Sequence, residues 1–404
     1  MNEPQTALSP AAAGLCRLLE TAAADGHTVV PVAVAGSVLG GVQLRLENAL
    51  REVGPAGSGL VSAPAPGLLG FRRTTEAEQA IAAAVHRLSS KRALFVVAGP
   101  AGAPRDATVR EIGSAAVADD AEYLDVETLA AFFAACRDDE PVALTGDLLG
   151  LGSPGAGRGF ADITESGLAD VIHIQADAET TEVMLRQLAT AIAAGELGEV
   201  DDPTHAAVIV KAASTAEAAY RVIQLVNDSI PRVIGIDPTD IQVLTPMATG
   251  GCGTAELAMT LASTRCPKPL LVHDSLGRRW PAVVLVLPPE SSGVLSRALV
   301  YSAVTRATRH VSIVNAAGAA LGDAVRHLPS PWRRTLLATL LRAHAGPLGD
   351  QPADSLPGYL SSDSHSRSST SSVSSSSASS PSSSMPSTGP NGVTSSYAEN
   401  SASS

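Results

Sequence analysis

Aromatic residues are scarce: Phe, Tyr and Trp together make up 3% of the 404 residues, against 45% apolar residues in all. Burial must therefore come from Ala, Val, Leu and Ile, which suits an α/β core and excludes an aromatic-rich sandwich. Cysteine is nearly missing as well. Cys16, Cys136, Cys252 and Cys266 are scattered and form no C-x-x-C pair. Ordinary zinc-ligand spacing is therefore absent, and reduced, packed thiols in a cytoplasmic protein are expected. Long apolar runs are lacking too. The longest, Leu94 to Ala98, Ala206 to Val210 and Ala282 to Leu287, are strand-sized, far below the roughly 18 residues of a membrane span. The opening MNEPQTALSP has no basic stretch leading into an apolar one, so no signal peptide and no membrane partner are expected. Positive charge is in deficit, with a net charge of -12. Such a chain repels phosphate backbones unless its basic residues cluster, so tight non-specific DNA binding is not the default.

What is present falls into segments. Residues 1–9 read as a flexible start. Residues 10–72 read as a small domain: a helix from Ala11 to Ala24, a strand or turn at Thr28 to Val32, a helix from Leu44 to Val53, then a hairpin from Gly59-Leu60-Val61-Ser62 and Gly67-Leu68-Leu69-Gly70-Phe71. Helices followed by a hairpin make a winged-helix-like unit, which docks on DNA or on protein. From residue 73 to about 345, helical and strand-like segments alternate. Helices are expected at Thr75 to Leu88, Val126 to Ala135, Thr180 to Ala194 and Thr215 to Asn227. Strands are expected at Arg92 to Ala98, Val142 to Thr145, Ala206 to Val210, Ile241 to Leu244, Leu270 to His273, Ala282 to Leu287 and His310 to Asn315. This rhythm implies two mostly parallel sheets, with lobes at 73–235 and 236–346. The helical spacing from Trp332 to His344 reads as a closing helix of the second lobe, with a partner-binding helix as the alternative. Residues 347–404, rich in Ser, carry too few apolar residues to offset their ordering entropy and are expected to be a disordered tail.

The chemistry-bearing segments sit at strand ends. Phe95-Val96-Val97-Ala98 runs into Gly99-Pro100-Ala101-Gly102-Ala103-Pro104-Arg105-Asp106 and a following helix. A phosphate-binding turn reads G-x-x-x-x-G-K-[ST]: backbone N–H groups cradle phosphate, the Lys reaches the terminal phosphates and the hydroxyl holds magnesium. Gly99 fits that pattern. Pro104 replaces the second Gly and removes a donor, Arg105 keeps the charge in a bulkier form, and Asp106 puts a carboxylate where the hydroxyl belongs. His173 and His273 read as packing or turn residues. Arg278, Arg279, Arg306 and Arg309 form a local basic strip that suits a solvated face or a nucleic-acid track equally.

Taken in order, the segments resemble RecD-like superfamily 1 DNA helicases, with a UvrD-like C-terminal region, in a degenerate and shortened form. Glu76-Ala77-Glu78-Gln79-Ala80-Ile81 looks like the family's lead-in helix. Val117-Ala118-Asp119-Asp120-Ala121-Glu122-Tyr123-Leu124-Asp125 resembles its VDEASMLD box, and Gly146-Asp147-Leu148-Leu149-Gly150-Leu151 its GDxxQL motif. Asp237 to Met247 looks like the strand that opens the second helicase lobe, and Gly253-Thr254 continues the match. Val272-His273-Asp274-Ser275-Leu276-Gly277-Arg278-Arg279-Trp280 resembles VHKSQGSEW, and the segment Leu295 to Ala307 resembles LLYTAVTRA. The resemblance spans about residues 10–330.

It implies two RecA-like P-loop lobes, ATP with Mg as cofactor and DNA as partner. Gly99, Gly102, Arg105, Asp106, Gly146 and Asp147 would line the nucleotide. Asp119 would hold the metal, Asp120 would stand for the Glu that polarises the attacking water, and Arg306 would steady charge on the transferring phosphoryl group. His273, Ser275 and Arg278 would face DNA. The departures fall on working residues: Gly150 stands where a γ-phosphate-sensing Gln belongs, and Asp274, Leu276 and Arg279 replace Lys, Gln and Glu. Only about a dozen residues separate the Gly-rich turn from the Asp119 box, where the family has a long DNA-gripping stretch. The expectation is impaired or absent hydrolysis in a DNA-, nucleotide- or protein-binding regulator of DNA metabolism. The alternatives are a weak ATPase or helicase and a ligand-free scaffold. A protein partner would use the N-terminal unit or the tail.

Overall fold

The computed structural model describes residues 8–41, 43–100, 102–137, 140–174, 183–197 and 205–343. Most of the expected flexible start and the expected tail at 347–404 lie outside the described residues.

The N-terminal unit is a small α/β module with its own core. Ser9 opens helix α1 (Pro10–Ala24) by accepting the N–H of Ala12, with Pro10 at the first position, where a missing N–H costs nothing. Strand β1 (Val30–Pro31), helices α2 (Val32–Val38) and α3 (Gln43–Val53), and strands β2 (Val61–Ser62) and β3 (Leu68–Phe71) follow. The three strands pair antiparallel in the order β1-β3-β2. Leu15, Leu19, Leu46, Val53 and Leu69 bury together between helices and sheet. This is a winged-helix-like arrangement, as the alternation of helices and hairpin predicts.

Helix α4 (Arg72–Ser90) leads into the first parallel sheet. Its strands are β4 (Leu94–Ala98), β5 (Ala116–Ala118), β6 (Val142–Gly146) and β7 (Asp170–His173), in the order β5-β6-β4-β7. Helix α5 (Arg105–Ile112) covers one face through Val109, against Val97 and Ala143. On the other face α6 (Val126–Ala135) and α7 (Gly159–Glu165) join α4 around Ile81, Leu129, Phe133 and Phe160.

The second sheet contains β8 (Ala207–Lys211), β9 (Ile241–Thr245), β10 (Leu270–Leu271), β11 (Trp280–Leu287) and β12 (Ala307–Asn315). All pair in parallel, in the order β10-β9-β11-β12-β8. The apolar runs of β11 and β12 are buried because helices cover both sides. Helices α8 (Val183–Ala193), α11 (Arg297–Val304) and α12 (Ala319–His327) lie on one side. Helices α9 (Thr215–Gln224) and α10 (Thr254–Thr260) lie on the other, with a π-helical stretch at Leu225–Ile234. No described helix is long and apolar enough to cross a membrane.

Two expectations need correction. The lobes do not part at 235/236: β8 pairs with β12, and α8 packs under the second sheet. The last helix, α13 (Leu337–Ala343), does not close the second lobe. It docks on α4 and α7, and Leu337 and Leu341 complete the first lobe's core. The physical reason is a buried carboxylate. Glu78 Oε1 accepts the N–H groups of Leu336 and Leu337 at 3.0 Å each and the Thr28 hydroxyl at 2.9 Å. It thereby satisfies donors that a helix start leaves open. Arg333, just before, donates to the carbonyls of Ser153, Gly155 and Gly157.

Candidate functional site

The loops that follow the strands of the first sheet meet the second lobe, and the residues singled out by sequence gather there. β4 ends at Ala98. Gly102 turns with a φ of +85°, and Pro104 precedes α5. Ala101 lies outside the described residues. Arg105 opens α5, but its side chain turns back. Its Nη1 donates to Asp120 Oδ1 at 2.9 Å and its Nη2 to the carbonyl of Gly99 at 2.5 Å. The guanidinium side chain is only 11% exposed, and its Nε is buried without a partner. Asp120 itself sits in the left-handed region at φ +47°, a conformation Asp tolerates when other contacts hold it. The Arg105 ion pair supplies such a contact. Asp119 is exposed and accepts the Thr145 hydroxyl at 3.1 Å. Asp106 points to solvent on the first turn of α5.

Glu122 received no role from sequence, although it lies in the same box. It is buried against Gly146, where a Cβ would collide with its Oε2 and with the Phe160 ring. Burial pushes its carboxyl up to about 8, so the group is mostly uncharged at neutral pH.

Asp147 is buried and faces the other lobe. Its Oδ2 accepts the Tyr301 hydroxyl at 2.9 Å across the seam, and its Oδ1 accepts the N–H of Leu149 at 3.0 Å. Burial raises its carboxyl above the usual range, partly countered by these bonds and by the charges of Arg105 and Arg306. Next to it, the N–H of Leu151 donates to Ser302 Oγ at 2.7 Å. Arg306, 3% exposed, donates Nε to the carbonyl of Ser302 at 3.1 Å and Nη2 to Thr305 Oγ1 at 3.2 Å. Tyr301 and Ser302 could have been suspected from their place one turn before Arg306. Their partners across the seam could not.

The residues assigned to DNA lie apart, in the turn between β10 and β11. Ser275 is fully buried and donates to the carbonyl of Val272 at 2.6 Å, so its hydroxyl cannot meet a phosphate and that expectation is corrected. Arg278 lies over the Trp280 ring at 5.4 Å and donates to the carbonyl of Asp274. His273 is half-buried, and burial with the nearby Arg333 lowers its pKa. The same turn reaches the first lobe: a Cβ on Gly277 (φ +74°) would sit 3.1 Å from Asp120 Oδ2. Arg279 lies against Gly102.

A nucleotide with magnesium does not fit this turn. Its central cation is already held by Asp120 and by the turn's own carbonyl. Pro104 offers no N–H, Asp106 presents like charge, and Glu122 is neutral. Among the described residues no group of three or more His, Cys, Asp or Glu could hold a metal ion.

Beside the turn, on the β7 side, lies a cavity of about 440 Å³ between the lobes. Gly99 and Pro100 form one wall, Leu148 and Leu149 a second, and α8 and the end of α11 the remainder.

No family model matches the sequence, and no curated protein matches it. Similar solved structures include viral helicases. A complex of arterivirus nonstructural protein 10 (helicase) with DNA is 14% identical, covers 65% of this chain and 70% of its own, and gives a TM-score of 0.32. The arterivirus nonstructural protein 10 crystal structure is 14% identical, covering 64% and 68%, at a TM-score of 0.31. The PRRSV helicase is 14% identical, covering 61% and 56%, at 0.27. Likeness of this kind assigns no residue a role.

Proposed function

We propose that the chain is a RecD-like, helicase-derived protein that does not hydrolyse ATP and acts as a DNA-binding regulator in DNA metabolism. One observation carries this reading: the Arg105 guanidinium is bound to Asp120 and to Gly99. In a working phosphate turn the cation must be free to reach the terminal phosphates, and the neighbouring carboxylate must polarise water. Here each neutralises the other. Losses at one coupled site do not add simply, yet together they leave little transition-state stabilisation. The seam is consistent with this reading: Tyr301 occupies one Asp147 oxygen and Ser302 accepts from the Leu151 backbone, so groups near the turn are already engaged by the second lobe.

The test combines calorimetric titration of magnesium-ATP with a DNA-stimulated hydrolysis assay. No binding heat and no phosphate release are expected. Hydrolysis that DNA stimulates and that Arg306→Ala abolishes would overturn the proposal. A weak ATPase is the second reading, favoured by Arg306, which remains buried at the seam beside Thr305. Anisotropy with labelled single-stranded DNA tests the DNA arm. Binding should weaken steeply with salt, as phosphate contacts do, and no binding at low salt would remove DNA from the proposal.

A further inference from the structure

An acidic chain meets phosphate only where its basic residues cluster, and the stretch from Ala324 to Ala343 meets that condition. It carries Arg326, Arg333, Arg334 and Arg342 and no Asp or Glu. The stretch leaves the second lobe with α12, crosses to the N-terminal unit and ends as α13 on the first lobe. Arg326 pairs with Asp323, and Arg342 donates to the carbonyl of Ala338. Arg333 and Arg334 lie in the crossing, directly after Trp332. Trp332 is 60% exposed and belongs to none of the described hydrophobic cores.

The backbone that presents this indole is tied down on both sides. Before it, the carbonyls of Leu328 and Pro329 accept the N–H groups of Arg297 and Ala298 at 2.7 and 3.0 Å. After it, Arg333 binds the three carbonyls of the 153–157 loop, the Arg334 N–H donates to His27 Nδ1 at 2.9 Å, and the Arg334 carbonyl accepts the N–H of Thr28 at 2.9 Å. An aromatic ring held out on a fixed backbone loses little freedom when a ligand covers it. The Arg334 guanidinium stands over the indole, 4.9 Å from the ring centroid, and its side chain makes no ion pair among the described residues. The His27 ring leans against the indole at 57°, too steep to cover it as a stack. Burial lowers the His27 pKa; Asp25 opposes this, and the charges of Arg334 and Arg333 add to it. The charge of Arg333 also reaches His273. The indole and the β10–β11 turn thus lie in one positive field.

We propose that Trp332 is a stacking platform for a base of single-stranded nucleic acid, with the Arg334 guanidinium on the adjoining phosphate. A flat π surface beside an unpaired positive charge matches a base joined to its phosphate. The strand must be single, because a base inside a duplex has both faces taken by its neighbours. The inference rests on the DNA-binding reading above and gives it a place. That place is the crossing segment, whereas the turn assigned to DNA has Ser275 and Arg278 donating to its own carbonyls.

The experiment uses the chain's own fluorescence. Trp280 and Trp332 are its two tryptophans, so Trp280→Phe leaves a single reporter at the platform. Oligo-dT of about twelve nucleotides, within the reach of one single-strand site, should quench that reporter with the same midpoint as the anisotropy of a labelled strand. Trp332→Ala should weaken binding about tenfold and Trp332→Phe, which keeps a ring, about twofold. Arg334→Ala should flatten the slope of log affinity against log salt by about 0.7. Circular dichroism checks each fold, and Trp332 is exposed enough for its variants to fold. Oligo-rU of the same length distinguishes the source of the strand: tighter quenching by it marks RNA, tighter quenching by oligo-dT marks DNA, and either supports the platform. Strand binding that Trp332→Ala leaves unchanged would overturn the platform and leave the DNA-binding reading standing. No binding of either strand at low salt would overturn both. Quenching by a blunt duplex equal to that by the single strand would overturn base stacking.

Discussion

The turn after β4 has two flanks, and the chain treats them oppositely. On the β5 side, Arg105, Asp120 and Glu122 crowd together, with a guanidinium tied down and a carboxyl made neutral by burial. On the β7 side, small and aliphatic residues leave about 440 Å³ of space. The filled flank is the one that phosphate would need. The difference teaches that one turn can be closed on one flank by an ion pair and stay open on the other, because Gly99 holds Arg105 through its carbonyl and still forms a wall of the cavity.

Five measurements would break or sharpen this contrast. The largest effect should come from the segment that completes the first lobe's core. Leu337 is fully buried in the first lobe's core, so Leu337→Ala should cost about 3 kcal/mol, read as a lower urea midpoint. Next, Asp147→Ala leaves the Tyr301 hydroxyl and the Leu149 N–H without their shared acceptor, which should cost about 2 kcal/mol in the same assay. The third measurement is a pH series. Burial raises Glu122 to about 8 and Glu78 to about 7 from a reference of 4.5. The folded state therefore holds protons that the unfolded state has released. Stability should be full below about pH 4.5, fall as pH rises through about 8, and level off above. Glu122→Gln should remove on the order of 1–2 kcal/mol of that decline, seen as a flatter profile of midpoint against pH. A profile that rises over this range would contradict the buried, neutral Glu122.

Fourth, Arg105→Ala removes a mostly enclosed ion pair and should cost about 1 kcal/mol. Calorimetry should still find no magnesium-ATP binding, since Pro104 and Asp106 remain. Regained binding would mean that the cation alone had blocked the turn. The smallest effect belongs to Asp106, exposed on the first turn of α5. Asp106→Ala should cost about 0.5 kcal/mol through the lost helix-dipole interaction, read as a small drop in urea midpoint.

Much of this architecture was readable from sequence where local signals suffice. Leu94–Ala98 and Ala282–Leu287 announce buried parallel strands by unbroken apolar runs, Ile241–Leu244 by a run broken only at Gln242, and those strands are present. The hairpin of the N-terminal unit is marked by its flanking glycines and forms as β2 and β3. Strand β7 was missed because Asp170–His173 is short and mixed in polarity. The sheet to which Ala207–Lys211 belongs was also misread, since its partner is Val311–Asn315 across 104 residues of sequence. Pairing choices of that range carry no local mark. At the site, the residue types at Arg105 and Asp106 already told against a phosphate cradle. What the sequence hid was the destination of each side chain: Arg105 on Asp120, Ser275 into the interior, Tyr301 onto Asp147. Those contacts depend on how the lobes meet, which composition and spacing do not encode.

The route of α13 has a consequence for how the protein is made. The first lobe's core needs Leu337 and Leu341, which follow the whole second lobe in the chain. Domains generally fold as they emerge during synthesis, N-terminal ones first, at roughly 5–20 residues per second. Here the first lobe can close only after residue 341 has left the ribosome. For the roughly ten seconds or more taken to add the residues of the second lobe, the groove between α4 and α7 stays uncovered, and Glu78 waits for the amides of Leu336 and Leu337. The lobe translated first is thus the lobe finished last.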